Sequence, residues 1–148
     1  MTLYLDASVL VALMVREDGA HAVEDLLDAD ERPLTASDFA LAETSAALAR
    51  LVRIAVLTAG QLEEAFARLD DWTGATTRRE RLAPDDVAAA TRLVRQPDLV
   101  LRTPDAIHIA MVARLNATLV TLDRGMARAA RALDVPCINP ADTSALKA

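Results

Sequence analysis

The sequence predicts an α/β domain in which a parallel sheet is covered by helices on both faces, and three observations carry that prediction. Short apolar runs alternate with longer helical stretches along the whole chain. The hydrophobic fraction is 53% with only 3% aromatics, so the core is built from Ala, Leu and Val, a mixture that favours helices packed closely on a buried sheet. The stretch Arg102 to Asp123 reads as an almost wholly apolar helix feeding a short apolar strand, with an aspartate near each end. A central sheet of about four to five strands follows from the number of such runs. At 148 residues without a Pro/Gly/Ser-rich linker, the chain is read as one domain over 1–140, with a loose tail over 141–148.

Taken in order, Thr2 to Leu5 is a strand ending at Asp6, and VLVALMV from Val9 continues as a buried helix broken at Arg16 to Gly19. His21 to Leu27 places Val23, Leu26 and Leu27 on one side with acids between them, an amphipathic surface helix. Pro33 to Ala36 is a second strand, Ser37 an N-cap, and Phe39 to Arg53 a long Ala/Leu-rich helix containing Glu43. Ala59 to Trp72 is helical through Leu62, Ala65, Phe66 and Leu69, and a polar turn is expected over Thr73 to Arg79. Arg81 to Ala83 reads as a third strand, and Pro84 opens a helix that ends before Pro97. Thr103, Pro104 and Asp105 read as N-cap, first-turn proline and dipole-complementing acid, and Leu119 to Leu122 as a buried strand. Met126 to Leu133 is a helix and Val135 to Ile138 the last strand, with Cys137 buried in it.

The apolar opening run is interrupted by Asp6 and closed by Arg16, Glu17 and Asp18, which is too short for a membrane span and lacks the basic start of a leader. The lone Cys137 excludes an internal disulfide and suits a reducing cytoplasm. A net charge of −6 argues against nucleic-acid binding through overall charge, yet leaves room for a site whose positive charge comes from a metal. The bases are almost all Arg, bunched at Arg50/Arg53, Arg78/Arg79/Arg81 and Arg124/Arg128/Arg131. Each cluster alone reads as a solvated face.

The carboxylates are more informative together than singly. Asp6 and Asp123 also read as helix caps and Asp105 as a dipole partner. Glu43 is different, because its helix-face neighbours are Phe39, Ala40, Ala46 and Ala47, a setting in which an unpaired carboxylate is costly. It lies ~9 Å from the helix start at ~1.5 Å per residue, within reach of the carboxyl edge of the sheet. Parallel topology would bring Asp6, Glu43, Asp105 and Asp123 to that edge, where they must take up protons or hold cations. Oxygen-only donors select a hard ion such as Mg²⁺ or Mn²⁺, which leaves coordination positions for phosphate oxygens. Ser8 and Thr121 flank the site as supporting hydroxyls. His108, three residues past Asp105, reads as a helix residue hydrogen-bonded near the site, since no second His has ligand spacing.

The segments YLDASVLVAL, SDFALAETSAAL, RTPDAIHIA and LVTLDRGM, in that order, resemble the PIN-domain ribonucleases, and most closely the VapC toxins of bacterial toxin–antitoxin pairs. The likeness spans nearly the whole chain, with TPDAIHIA followed by LVTLD its most specific part. Carried over by position, the acidic site falls on Asp6, Glu43, Asp105 and Asp123, with Thr121 as its hydroxyl. The resemblance implies a three-layer α/β/α fold, Mg²⁺- or Mn²⁺-dependent cleavage of RNA, a homodimer, and inhibition by a VapB-type antitoxin. Asp6, Asp105 and Asp123 would hold the metal, and Glu43 would complete its shell or orient the attacking water. Aromatics are too few for a base-stacking platform, so RNA would be held by Arg, metal and shape. An aspartyl-phosphate phosphatase is disfavoured because Ser8 stands where a second Asp is needed and the only lysine is Lys147. A non-catalytic module of the same fold remains the other alternative.

Overall fold

A computed structural model describes residues 1–145 and shows an all-parallel five-stranded sheet between two helical layers. The strands are β1 (Leu3–Leu5), β2 (Leu34–Ser37), β3 (Thr77–Glu80), β4 (Thr118–Val120) and β5 (Cys137–Ile138), in spatial order β3-β2-β1-β4-β5. The helices are α1 (Ala7–Val15), α2 (Ala20–Ala29), α3 (Asp38–Arg53), α4 (Ala59–Thr76), α5 (Pro84–Val94), α6 (Thr103–Leu115) and α7 (Arg124–Ala132). The expected α/β class, parallel sheet and three-layer arrangement are all present.

Side-chain alternation along the two central strands builds both cores. Tyr4 of β1 and Leu119 of β4 enter one core with Ile109, Met111 and Val112 of α6 and Ala129 and Ala130 of α7. Leu3, Leu5 and Val120 enter the other, against Val9 and Leu10 of α1, Leu41 and Leu48 of α3, and Ala65 and Leu69 of α4. These side chains are almost fully buried, each worth about 1.5–3 kcal/mol for the larger aliphatics. Being buried on both faces is why the strands read as continuous apolar runs rather than alternating ones.

Three local readings need correction. Helix α4 runs on to Thr76 and β3 occupies Thr77–Glu80, so the expected polar turn is helix and strand, and Arg81 to Ala83 is not a strand. The hydroxyls of Thr73, Thr76 and Thr77, which in a turn would bond locally, are instead taken up by the carbonyls four residues back. Second, α6 starts one residue earlier than its N-cap signal, because Ala106 N–H already donates to Arg102 O (3.1 Å). Thr103 is helical and makes no cap. Third, Cys137 is half-buried rather than buried, and its partial burial pushes the thiol up to about 11. The segment after Pro140, expected to be loose, forms a 3₁₀ helix over Pro140–Ala145, and the remainder of that tail, 146–148, lies outside the described residues. Among the described residues no helix is long and apolar enough to cross a membrane.

The strand order decides where a site can form. The chain leaves β1 toward β2 and β3, then returns to place β4 on the other flank of β1, so the connections diverge between β1 and β4. The crevice at the carboxyl ends of such a strand pair is where open α/β sheets bind ligands. Asp6 follows β1 directly, and Thr121 to Asp123 follow β4.

Candidate active site

Asp6 is 1% exposed and caps α1. Its Oδ1 accepts from Ser8 Oγ (2.6 Å) and the Val9 N–H (3.1 Å), and its Oδ2 from Thr121 Oγ1 (2.5 Å). Burial pushes its pKa up, opposed by the nearby His108 and by these donors. Ser8 and Thr121 also tie the two strand ends together: Leu122 N–H donates to Ser8 Oγ (2.9 Å) and Asp123 N–H to Thr121 Oγ1 (3.0 Å). Asp123 then caps α7 by accepting from the Met126 N–H (2.8 Å), and the Cβ that Gly125 lacks would stand 3.3 Å from its Oδ1. The cap readings of Asp6 and Asp123 are therefore correct locally, and capping leaves both carboxylates at the crevice.

Asp105, buried in the first turn of α6, meets Arg102 just upstream. Arg102 Nε lies 3.2 Å from Asp105 Oδ2 and its Nη2 3.4 Å from Asp105 Oδ1, while the same Nη2 stands 3.8 Å from Asp123 Oδ2. The guanidinium bridges the two acids, with a side chain 74% exposed. Asp105, followed by the charges of Asp123 and Glu43, holds its pKa above the ordinary value. Three of the four predicted acids thus act on one positive group. As the side chains stand, no three His, Cys, Asp or Glu donors among the described residues are close enough together to hold a metal.

Glu43 is met by His108, whose Nε2 hydrogen-bonds Glu43 Oε1. A carboxylate only accepts, so Nε2 carries the proton. The other ring nitrogen, Nδ1, lies 2.9 Å from Tyr4 Oη, which lies 2.7 Å from Ser37 Oγ, and Ser37 in turn caps α3 through the Ala40 N–H. Burial raises the Tyr4 pKa far above its usual range, so the phenol stays protonated and shares hydrogen bonds with Ser37 Oγ and His108 Nδ1. The relay Ser37–Tyr4–His108–Glu43 links β2, β1, α6 and α3, and it fixes a glutamate that is otherwise 29% exposed. The expectation of a hydrogen-bonded His108 near the site holds. A depression of about 370 Å³ lined by Ser8, Glu17, Asp18, Glu43, Ala47 and Leu122 opens beside these groups. A larger groove of about 770 Å³ between α1, α2 and α4 contains none of the four acids.

The Arg102 bridge and the Tyr4–Ser37 end of the relay were not visible in the sequence. For Arg102 the only available signal was an Arg three residues before Asp105, the spacing of neighbours on a helix start.

This is the fold of a PIN domain. The PIN domain family profile matches residues 3–132, and the chain belongs to that family. No curated protein matches it in sequence. Among solved structures, FitAcB from Neisseria gonorrhoeae is similar with a TM-score of 0.74 at 19% identity, covering 95% of this chain and 99% of that one. VapC20 from Mycobacterium tuberculosis, a Sarcin-Ricin loop cleaving toxin, matches with a TM-score of 0.66 at 19% identity over 86% of this chain and 95% of that one. VapBC2 from Rickettsia felis, solved on a DNA fragment from its promoter, gives 0.69 at 18% identity over 94% and 98%.

Proposed function

We propose that this chain is a divalent-metal-dependent endoribonuclease that acts as the toxin of a VapBC-type toxin–antitoxin pair in the cytoplasm. The observation that carries the reading is that Arg102 bridges Asp105 and Asp123 at the carboxyl edge of the sheet, where Asp6, buried and hydrogen-bonded, follows β1. The space between Asp105 and Asp123 accepts a positive charge, and every acid there offers oxygen only, which fits Mg²⁺ or Mn²⁺. Asp6, Asp105 and Asp123 would hold the ion. When bound, it would supply a nucleophilic water and neutralise charge on the scissile phosphate.

The remaining roles fall to the chain itself. Ser8, Thr121 and the Val9 N–H fix both oxygens of Asp6 at the end of β1. Glu43, steadied by His108, is the group that orients the attacking water and takes its proton. Arg102, released from the two acids, is free to meet a phosphate oxygen. A VapB-type antitoxin belongs to the same reading, supported by neighbours such as the toxin–antitoxin complex from Klebsiella pneumoniae, and a homodimer is proposed with it.

Mapping cleavage sites on total cellular RNA tests this, with Asp105→Asn as control. Discrete sites ending in 3′-hydroxyls, absent in the variant, are expected because water rather than the 2′-hydroxyl attacks. Identical cleavage by Asp105→Asn would refute it. The second reading, a non-catalytic module, draws on the lack of three gathered donors among the described residues. A thermal stability that fails to respond to Mn²⁺ would favour it.

A further inference from the structure

We propose that the exposed face of α7, formed by Arg124, Arg128 and Arg131, is a phosphate-binding ladder that carries the backbone of single-stranded RNA away from the acidic site; this rests on the ribonuclease reading of that site. The spacing i, i+4, i+7 places the three on one side of α7, and all three are exposed. Met126, Ala127, Ala129 and Ala130 on the other side are buried. A hollow of about 420 Å³ is lined by Arg124, Arg128, Arg131 and Asp142.

The arrangement is unfavourable for the chain on its own. Arg124 and Arg128 are like charges one helical turn apart, and Arg124 stands at the positive end of the helix dipole. No acid occurs between Arg124 and Ala132, in a chain of net charge −6. Among the described residues neither Arg124 nor Arg128 has an ion pair or a side-chain hydrogen bond, and only Arg131 meets an acid, with Nη2 3.6 Å from Asp142 Oδ2. Charge concentrated this way and left unpaired is complementary to a polyanion.

Placement identifies which polyanion. Asp123, one of the four acids, is the N-cap of α7, and Arg124 is the next residue. Side chains on a helix lean toward its N-terminus, here toward the acids, and Arg124 to Arg131 spans ~10 Å of axis. A phosphodiester chain cut at the acids therefore continues onto the ladder, where each planar guanidinium fork suits a phosphate. An acidic peptide has no comparable reason to run up to a cluster of carboxylates.

The test measures binding of a fluorescent oligoribonucleotide by anisotropy in EDTA, so that no cleavage occurs, across a salt series. Arg124→Gln/Arg128→Gln is expected to weaken binding about tenfold at low salt and to lower the slope of log K against log salt by about 0.7 for each phosphate that is no longer neutralised. Shortening the RNA from one end should abolish the difference between wild type and variant, and shortening from the other should preserve it. The control pair Arg78→Gln/Arg79→Gln, on β3 at the opposite edge of the sheet, should leave the slope unaltered. An unchanged slope in the α7 variant, an equal loss in the control pair, or equal sensitivity to shortening from both ends would each overturn the ladder. RNA that binds along α7 but is never cut contradicts the ribonuclease reading instead.

Discussion

Arg102 is the residue on which the site's electrostatics turn. Its guanidinium lies between Asp105 and Asp123 and so relieves a repulsion that a divalent ion would otherwise have to relieve. An exposed pair of this kind contributes at most about 1 kcal/mol to stability. Arg102→Gln should therefore leave Tm nearly unchanged while tightening Mn²⁺ binding several-fold in a calorimetric titration; weaker binding would mean that Arg102 assists the ion rather than competing with it. His108 stands at the opposite extreme, 2% exposed and bonded on both ring nitrogens. His108→Ala opens a cavity and leaves Glu43 unheld, at a cost of about 2–4 kcal/mol measurable by urea unfolding. An unaltered midpoint would show that the relay does not hold the core together. In the sequence only Glu43 breaks a local pattern, through its apolar neighbours; Asp6, Asp105 and Asp123 each fit a cap or dipole pattern and are singled out only as a set. The partner of Glu43 could not be read, because His108 is 65 residues away and the contact depends on how α3 and α6 meet across the sheet edge.

Elements with regular apolar patterning were legible, and the edge of the sheet was not. β3 is Thr-Arg-Arg-Glu, an edge strand with two exposed arginines, and nothing in its composition marks it as sheet. The adjacent Arg81 to Ala83, which does look apolar, is held by side chains instead. Leu82 N–H donates to Asp38 Oδ1 (2.8 Å), Ala83 N–H to Asp86 Oδ2 (2.8 Å), and Arg114 Nη2 to Arg81 O (3.1 Å). Asp86 is the centre of this knot: it is buried at the start of α5 and grips Arg114 of α6 through Nε (2.7 Å) and Nη2 (2.9 Å). Burial alone would push its carboxyl up, but the Arg114 guanidinium and the Ala83 N–H outweigh it and bring it below the ordinary 3.8. A lowered folded value means that the stabilisation is fully present above pH ~4 and is lost as the pH falls through the folded pKa. Asp86→Asn should lower stability by about 1–3 kcal/mol at neutral pH, with the gap to wild type narrowing in Tm measurements below pH ~4. A gap independent of pH would place the stabilisation in packing rather than in charge.

At the scale of the whole molecule, a short central strand pair does most of the positioning. β1 and β4 are three residues each, paired in register from Leu3 and Thr118 to Leu5 and Val120, and the backbone pairing continues with Asp6 N–H to Val120 O (3.2 Å). That register sets Asp6 against Thr121 and, one hydrogen bond further, against Asp123. Parallel order was readable from the alternation of elements, and with it the edge where the acids gather; the guanidinium already standing between two of them was not. The central claim is that these acids form one cation-dependent hydrolytic centre, and Asp6→Asn tests it most directly. Asn keeps an oxygen for the Val9 N–H and Ser8, so the fold should persist, as circular dichroism can establish. Cleavage of a defined RNA should then be assayed after EDTA treatment and again with added Mn²⁺. The account predicts that wild type regains cleavage with Mn²⁺ and that folded Asp6→Asn does not; cleavage by the variant at the wild-type rate, or by wild type in EDTA, would contradict it.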